Sequence, residues 1–221
     1  MARRELEHFT IGGSYGGNQT WFRSFMMRLG GCGAETACDL SIYLELHKGA
    51  GGLCPLDVHA LTRRGYVDFA HEMERYLWPR RTGIDKLSIF TEWYGKYLRD
   101  RSGAAAGTGA PGNSFGISLE AFDGSEPYER AAENVISRID AGFPIPTLVL
   151  RHQDKAFKDY VWHWFLINGY EEREDTVLVK TVTYSEYQWL DLKKLWDTGY
   201  ENRGGLVLVS GSPEEGESDD H

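Results

Sequence analysis

The chain has 221 residues, of which 41% are hydrophobic and 13% aromatic, so it is long and apolar enough to bury a core. Its formal net charge is −9, and no long run of lysine or arginine is present, which argues against a nucleic-acid partner. Part of the acidity lies in the C-terminal sequence PEEGESDD, which is typical of a disordered end.

The N-terminal sequence MARRELEHFTIGG lacks the apolar segment of a signal peptide, and no run of about 18 apolar residues predicts a membrane span. We therefore expect a cytoplasmic protein with no membrane partner. The three cysteines, an odd number, argue against a disulfide framework. Because no cysteine or histidine spacing matches a zinc site, we expect no metal and no cofactor.

The first hundred residues are predicted to be mainly helical. Apolar residues repeat at helical spacing from Cys32 to about His47, and the sequence KGAGG that follows is a stop signal. The segment CPLDVHALTRRGYVDFAHEMERYLW predicts one or two short helices, and a further helix is expected from about Ile84 to Arg99. The Gly/Ala-rich sequence SGAAAGTGAPGNSFG is typical of a flexible loop.

The second half of the chain has a different pattern. The segment SEPYERAAENVISRID predicts a helix, and the strands predicted after it are PTLVL, YVWHWFLINGY, TVLVKTVTY and GGLVLV, with a short helix in YQWLDLKKLWDTG. A helical front half followed by antiparallel strands predicts an α+β fold. We expect one domain over residues 1–209, with a helical lobe at about 16–100, a flexible loop at about 102–116 and a sheet lobe at about 117–209. A disordered acidic tail is expected at 210–221.

Cys32 lies between two glycines at the predicted start of a helix, in the sequence GGCGAETACD. The unpaired N–H groups and the dipole of a helix N-terminus favour a thiolate, so this position predicts a lowered thiol pKa and a nucleophile. The alternative is a small buried residue at a helix start. Cys38 lies inside the same helix and is expected to pack, and Cys54 has no predicted partner.

A cysteine nucleophile needs a histidine as its base and a third group to orient that histidine. Six of the seven histidines lie near the chain ends or in polar segments. His163 differs, because it lies at the start of a strand in the aromatic sequence DYVWHWFLINGY. A buried core histidine is the alternative interpretation.

Two parts of the chain resemble papain-like cysteine peptidases. In HWFLINGYEEREDTVLVKTVTY a histidine opens a strand, Gly169 and Tyr170 follow, and an aliphatic strand returns, as in the second half of that superfamily. The segments AGFPIPTLVL and GGCGAETACDLSIYL are similar to bacterial members, including the bacteriocin-leader peptidases. The similarity covers residues 16–46 and 134–209, with the order glutamine, cysteine, histidine along the chain.

The resemblance implies a papain-like architecture with the catalytic site in a cleft between two lobes. It implies that Cys32 is the nucleophile, that His163 is its base, and that Gln19 donates to the oxyanion. Thr181 stands where the family has Asn or Asp, so it would orient the imidazole. Gln19 precedes Cys32 by thirteen residues, a longer spacing than in the family, and Asn18 is the alternative donor.

The predicted hairpin supports the assignment of Thr181. A turn centred near Glu172 would place Thr181 opposite His163 across two strands. A threonine hydroxyl can accept from the imidazole N–H, but it cannot stabilise an imidazolium as a carboxylate would. Asp191 and Glu186 are the alternative acceptors, and an ordinary β-branched strand residue is the alternative interpretation of Thr181.

The sequence thus predicts a cysteine peptidase-like hydrolase that cleaves a peptide or amide bond and has a peptide or protein substrate as its partner. His163 would take the thiol proton, Cys32 would attack the carbonyl, and water would release the acyl-enzyme. Trp162 or Trp164 is a candidate shield for His163. The alternatives are a deamidase or acyltransferase with the same residues, an inactive papain-like domain that binds peptides or a partner protein, and an unrelated fold in which the two residues lie far apart.

Overall fold

The computed structural model describes residues 1–80, 83–107 and 115–213. The α-helices are α1 (Phe25–Gly30), α2 (Cys32–Lys48), α3 (Arg63–Met73), α4 (Leu87–Gly107), α5 (Tyr128–Asp140) and α6 (Leu192–Trp196). The strands are β1 (Arg3–Glu5), β2 (Thr10–Ile11), β3 (Ser14–Tyr15), β4 (Phe115–Asp123), β5 (Ile145–Val149), β6 (His163–Glu172), β7 (Val177–Thr183), β8 (Glu186–Asp191) and β9 (Gly204–Pro213). Two 3₁₀ helices span Gln19–Trp21 and Lys155–Tyr160.

Seven of the strands form one antiparallel sheet, with the order β4-β9-β5-β6-β7-β8 and with β1 paired to the far end of β6. The strands β2 and β3 form a separate hairpin. The described residues form six α-helices besides this antiparallel sheet, so the predicted α+β class is confirmed. Within the residues that the structure describes, no helix is long and apolar enough to cross a membrane.

The sheet is covered on both faces, which explains the near-continuous hydrophobic run of β6. Successive side chains of a strand point to opposite faces. Trp164 and Leu166 pack with buried residues of α2, α3 and α4, whereas Phe165 and Ile167 pack with α5 and α6. All four of these side chains are at most 1% exposed. The sheet therefore separates two apolar clusters.

Helix α2 forms the centre of the helical side. Every residue from Cys32 to Leu44 is buried, so the helix has no solvent-facing polar stripe over this length. It ends at Gly49, which has a φ of 68° and provides the left-handed C-cap that the sequence KGAGG predicts. Burial on all sides fixes the position of the first turn of α2, and the cysteine of that turn, relative to the sheet.

The structure adds several elements that the sequence pattern did not predict. The sequence pattern did not predict the strands β1, β4 and β8 or the short helix α1. Helix α4, which was expected from about Ile84 to Arg99, starts later and ends later, at Gly107. Of the predicted flexible loop at 102–116, residues 108–114 lie outside the described residues, and β4 begins at Phe115. Of the predicted tail at 210–221, residues 210–213 belong to β9, and residues 214–221 lie outside the described residues.

Candidate functional site

Cys32 is the first residue of α2, as the sequence predicts, and one glycine joins α2 to α1. Gly31 is both the C-cap of α1 and the N-cap of α2. A Cβ at Gly31 would clash with the carbonyl oxygen of Met27 and would lie 3.0 Å from the ring of Phe22. The glycine before the cysteine is therefore required by the tight junction of the two helices.

The Cys32 side chain is nearly inaccessible, since the residue is 5% exposed. Burial raises the pKa of the Cys32 thiol to about 11, and the nearby Glu35 carboxyl acts in the same direction. The backbone N–H groups of Trp164 and Gly33 favour the thiolate but do not offset burial. The expectation of a lowered thiol pKa is therefore wrong, because desolvation outweighs the helix N-terminus.

His163 is buried at the start of β6 with both ring nitrogens facing hydroxyl groups. Its Nε2 lies 2.6 Å from Thr183 Oγ1, and its Nδ1 lies 3.3 Å from the Tyr184 hydroxyl. The rings of His163 and Tyr184 are stacked, with centroids 4.6 Å apart and planes inclined by 4°. Burial lowers the pKa of His163 to about 4, so the imidazole is neutral at pH 7.

Thr181 is not the residue that contacts His163. Thr181 pairs with Ile167 across β6 and β7, and its hydroxyl lies 2.9 Å from the hydroxyl of Tyr160. Thr183, two residues later, provides the oxygen next to the imidazole. The predicted contact between Thr181 and His163 is therefore wrong, and the hydroxyl beside the imidazole is that of Thr183.

The correction has two physical causes. Glu172 pairs with Val177, so the turn lies at residues 173–176 and not at Glu172. The register also shifts between Ile167 and Gly169, which indicates a β-bulge. The later turn alone would pair His163 with a residue beyond β7, and the bulge takes the register back by one residue. Continued from the Leu166–Val182 pair, this register places Thr183 opposite Phe165, as a diagonal neighbour of the histidine.

Gln19 is brought back to the first turn of α2 despite its long spacing from the cysteine. Its backbone N–H donates to Glu35 Oε2 at 2.8 Å. Its side-chain Nε2 donates to the carbonyl oxygen of Arg28 at 3.0 Å, and its Oε1 is buried without a hydrogen-bond partner among the described residues. The side chain thus lies beside the α1–α2 junction, and donation to an oxyanion stays a prediction.

The alternative residues have other structural roles. Asn18 Oδ1 accepts from the backbone N–H of Thr20 at 2.9 Å and caps the 3₁₀ helix that begins at Gln19. Asp191 caps α6 by accepting from the Lys194 N–H. Glu186 is exposed at the start of β8. These three side chains form no hydrogen bond with His163 in the described part of the chain.

Glu35 connects the two loops that border the site. It lies one turn after Cys32 in α2 and is 4% exposed. Besides the Gln19 N–H, the backbone N–H of Tyr184 favours its ionised form. Burial, followed by the Asp39 carboxyl one turn further along α2, raises the pKa of Glu35 to about 8. The carboxyl is therefore neutral at pH 7 and charged in mildly alkaline solution.

This position gives a test of the electrostatics around the thiol. We expect Glu35→Gln to react faster than wild type with iodoacetamide at Cys32 above about pH 8 and at the same rate below about pH 7, because only the ionised carboxyl disfavours the thiolate. Glutamine keeps an oxygen for the Gln19 N–H. The measurement is the alkylation rate of Cys32 against pH, read by peptide mapping.

Glu45→Gln is the matched control, since Glu45 lies on α2 three turns away and accepts from the Cys54 N–H at 2.7 Å. Its alkylation profile should match that of wild type. Equal profiles for the Glu35→Gln variant and wild type at every pH would show that Glu35 has no electrostatic effect on the thiol.

A solvent-open cleft of about 300 Å³ leads to Cys32, and we call it the thiol cleft. Its lining residues are Met26, Leu29, Gly30, Cys32, Pro79, Arg80, Gly83, Ile84 and Trp162. Trp162 precedes His163 directly and has a φ of 54°, a strained value for a bulky residue. This backbone leaves the Trp162 side chain 46% exposed in the cleft, whereas Trp164 is part of the core.

Cys32 and His163 are brought to the same region, although no direct hydrogen bond joins them in the described chain. The Trp164 backbone N–H, next to His163 in sequence, favours the Cys32 thiolate. Burial, followed by Cys32 and Glu35, raises the pKa of Tyr184, which stacks on His163. Among the described residues, no three His, Cys, Asp or Glu side chains are grouped so that they could hold a metal ion.

Sequence reasoning missed Thr183, Tyr184 and Glu35. Tyr184 and Ser185 form a two-residue hairpin turn between β7 and β8, with φ of 52° and 65°. Such turns usually contain Asn or Gly, and this one does not, so the hairpin gave little signal. Comparison of the chain with known proteins finds no matching family model, no matching curated protein and no matching solved structure.

Proposed function

We propose that the protein is a thiol hydrolase that cleaves a peptide or amide bond with Cys32 as the nucleophile and His163 as the base, in a papain-like arrangement. The observation that carries the proposal is a cysteine at the first turn of a buried helix, at the end of an open cleft, beside a strand that begins with a buried, hydroxyl-bonded histidine. Nucleophilic catalysis by cysteine needs these parts together.

The proposed mechanism needs the imidazole proton on Nε2, the nitrogen beside Thr183. Because His163 is neutral at pH 7, one ring nitrogen carries a proton and the other does not. In the proposed tautomer Nε2–H donates to Thr183 Oγ1, which leaves Nδ1 as the base. In the structure the Tyr184 hydroxyl lies beside Nδ1. The proposal therefore requires that the thiol reaches Nδ1 when substrate enters, since catalytic hydrogen bonds often tighten on binding.

The reaction starts from a neutral thiol and a neutral imidazole. As the Cys32 sulfur attacks the carbonyl carbon, its proton passes to His163 Nδ1, and the negative charge moves to the carbonyl oxygen. The N–H of Cys32 at the start of α2 is a donor for that oxyanion, and Gln19 is the candidate second donor. His163 then protonates the leaving amine, and water hydrolyses the thioester. Transfer to another amine would give an acyltransferase.

Cleavage of a proteome-derived peptide library, read by mass spectrometry of new chain termini, tests this proposal. We expect wild type to generate new termini and Cys32→Ser to generate none. Cys38→Ala is the matched control, since Cys38 is also buried in α2 and should not affect cleavage. New termini that persist in Cys32→Ser, or their absence with wild type, would contradict hydrolysis by Cys32.

The corrected orienting residue provides a separate prediction. We expect Thr183→Val to lower kcat about ten-fold, because one hydrogen bond that fixes the imidazole is lost. Thr181→Val is the control, since that hydroxyl contacts Tyr160 and not His163. Steady-state kinetics of both variants on one cleaved peptide would decide. Equal rates for Thr183→Val and wild type would remove Thr183 from the mechanism.

The raised thiol pKa favours a second candidate, a domain that binds peptides without cleaving them. A thiol with a pKa of about 11 is protonated at pH 7 and depends on its base during attack. Binding of library peptides by wild type without any new termini would support this function in place of hydrolysis.

A further inference from the structure

Large exposed apolar side chains gather around the thiol cleft. Phe25 and Leu29 of α1 are each 68% exposed, and Met26 between them is 36% exposed. Trp162, which also lines the cleft, is 46% exposed, and Trp78, which precedes the lining residue Pro79, is 47% exposed. Such a concentration of apolar surface on a folded chain marks a site that binds another molecule.

Two glycines of the lining, Gly30 and Gly83, present a backbone floor to the cleft. A Cβ on Gly30 would lie 3.1 Å from Pro79 Cβ and 3.9 Å from Gly83 Cα, so the two glycines face each other across a narrow gap. Gly83 has a φ of 74°, which favours glycine. Peptide groups without side chains let another main chain approach closely, while the Gly83 N–H already donates to the Arg80 carbonyl oxygen at 2.9 Å. This floor fits an extended peptide better than an alkyl chain.

Arg80 provides the one charge in the described lining of the cleft. It is exposed and has no ion pair with any residue that the structure describes, on a chain whose formal net charge is −9. An unpaired guanidinium is a fork of donors that matches a carboxylate. The described lining of the cleft therefore combines apolar side chains, a backbone floor and one cation without an ion pair to a described residue.

We propose that the thiol cleft selects extended peptides that carry a bulky apolar residue next to an acidic one, with the acidic side chain paired to Arg80. This inference rests on the proposed function, because it names the substrate of the same site. The apolar side chain packs between Leu29 and Trp162, and the peptide backbone lies along Gly30 and Gly83. Arg80 is thus a specificity-determining residue.

The test uses the full chain with Cys32→Ala, so that binding is measured without chemistry. Short fluorescent peptides that differ at two adjacent positions, Leu-Glu, Leu-Lys and Ser-Glu, are compared by fluorescence anisotropy at low salt. We expect Leu-Glu to bind about ten-fold more tightly than Leu-Lys or Ser-Glu, which corresponds to the gain of one good charged or apolar contact. Adding Arg80→Glu should invert the order of Leu-Glu and Leu-Lys.

Arg64→Glu is the matched control, because Arg64 is an exposed arginine of α3 that does not line the cleft. It should leave the order of the peptides unchanged. If the peptides have the same order of affinity with and without the Arg80→Glu change, the proposal is overturned. Full displacement of the Leu-Glu peptide by an equal concentration of decanoate would also overturn it. If wild type cleaves library peptides without any preference for an acidic residue, the specificity fails while hydrolysis by Cys32 stands.

Discussion

We expect His163→Ala to hydrolyse a cleaved library peptide about 10³-fold more slowly than wild type, within the range that a positioned general base contributes. The effect is large here because the Cys32 thiol has a pKa of about 11 and little thiolate exists at pH 7 without a base. The measurement is kcat/KM at pH 7 with matched protein concentrations. The loss should appear in kcat, since the imidazole acts on the thiol proton during attack.

His152→Ala is the control for this variant. His152 is half-buried, and its Nε2 lies 3.0 Å from the carbonyl oxygen of Lys194 and not at the thiol cleft, so its loss should leave kcat/KM unchanged. Circular dichroism of both variants should match that of wild type. A His163→Ala variant that keeps the wild-type rate would show that His163 is only a core histidine.

We expect Trp164→Ala to lower the free energy of unfolding by about 3–5 kcal/mol, the range for truncating a large buried aromatic residue. Trp164 is 1% exposed, and its ring stacks on Phe90 of α4 with centroids 4.4 Å apart. Its Nε1–H donates to the carbonyl oxygen of Ile84 at 2.6 Å. One side chain thus joins β6, α4 and the segment that borders the thiol cleft.

Urea unfolding of Trp164→Ala, Trp164→Phe and Trp78→Ala separates these contributions. Trp164→Phe keeps the stacking and loses the donor to Ile84, so it should cost about 1–3 kcal/mol. Trp78 is 47% exposed, and its loss should cost less than either change at Trp164. A similar cost for Trp78→Ala and Trp164→Ala would contradict the role of Trp164 as the connection between sheet and helices.

The parts of the fold that follow from local pattern could be predicted from the sequence. The helix from Cys32 was expected with nearly its true length, because apolar residues persist through it and Gly49 ends it. The strand that begins at His163 and its returning partner were also expected, because each is a long aliphatic and aromatic run. The α+β class follows from these elements.

The parts that depend on tertiary contacts could not be predicted. Thr181 was chosen in place of Thr183 because the turn was expected near Glu172, whereas it lies at residues 173–176, and the aliphatic sequence gives no sign of the bulge before Gly169. The expected low thiol pKa assumed a solvated helix end, whereas Cys32 at this end is only 5% exposed and burial raises its pKa. Helix α1 lies between Gln19 and Cys32, and the number of residues between them does not show that the chain folds back to bring Gln19 beside the first turn of α2.

The central claim is that Cys32 forms a covalent acyl intermediate with the help of His163. The most direct measurement is mass spectrometry of the intact protein, quenched during turnover of an activated peptide ester and then mapped to residues. We expect a mass increase equal to the acyl group on the peptide that contains Cys32. This acylated peptide should form far more slowly in His163→Ala. An acyl group on Cys38 or Cys54, or acylation of Cys32 at the same rate in both proteins, would contradict it.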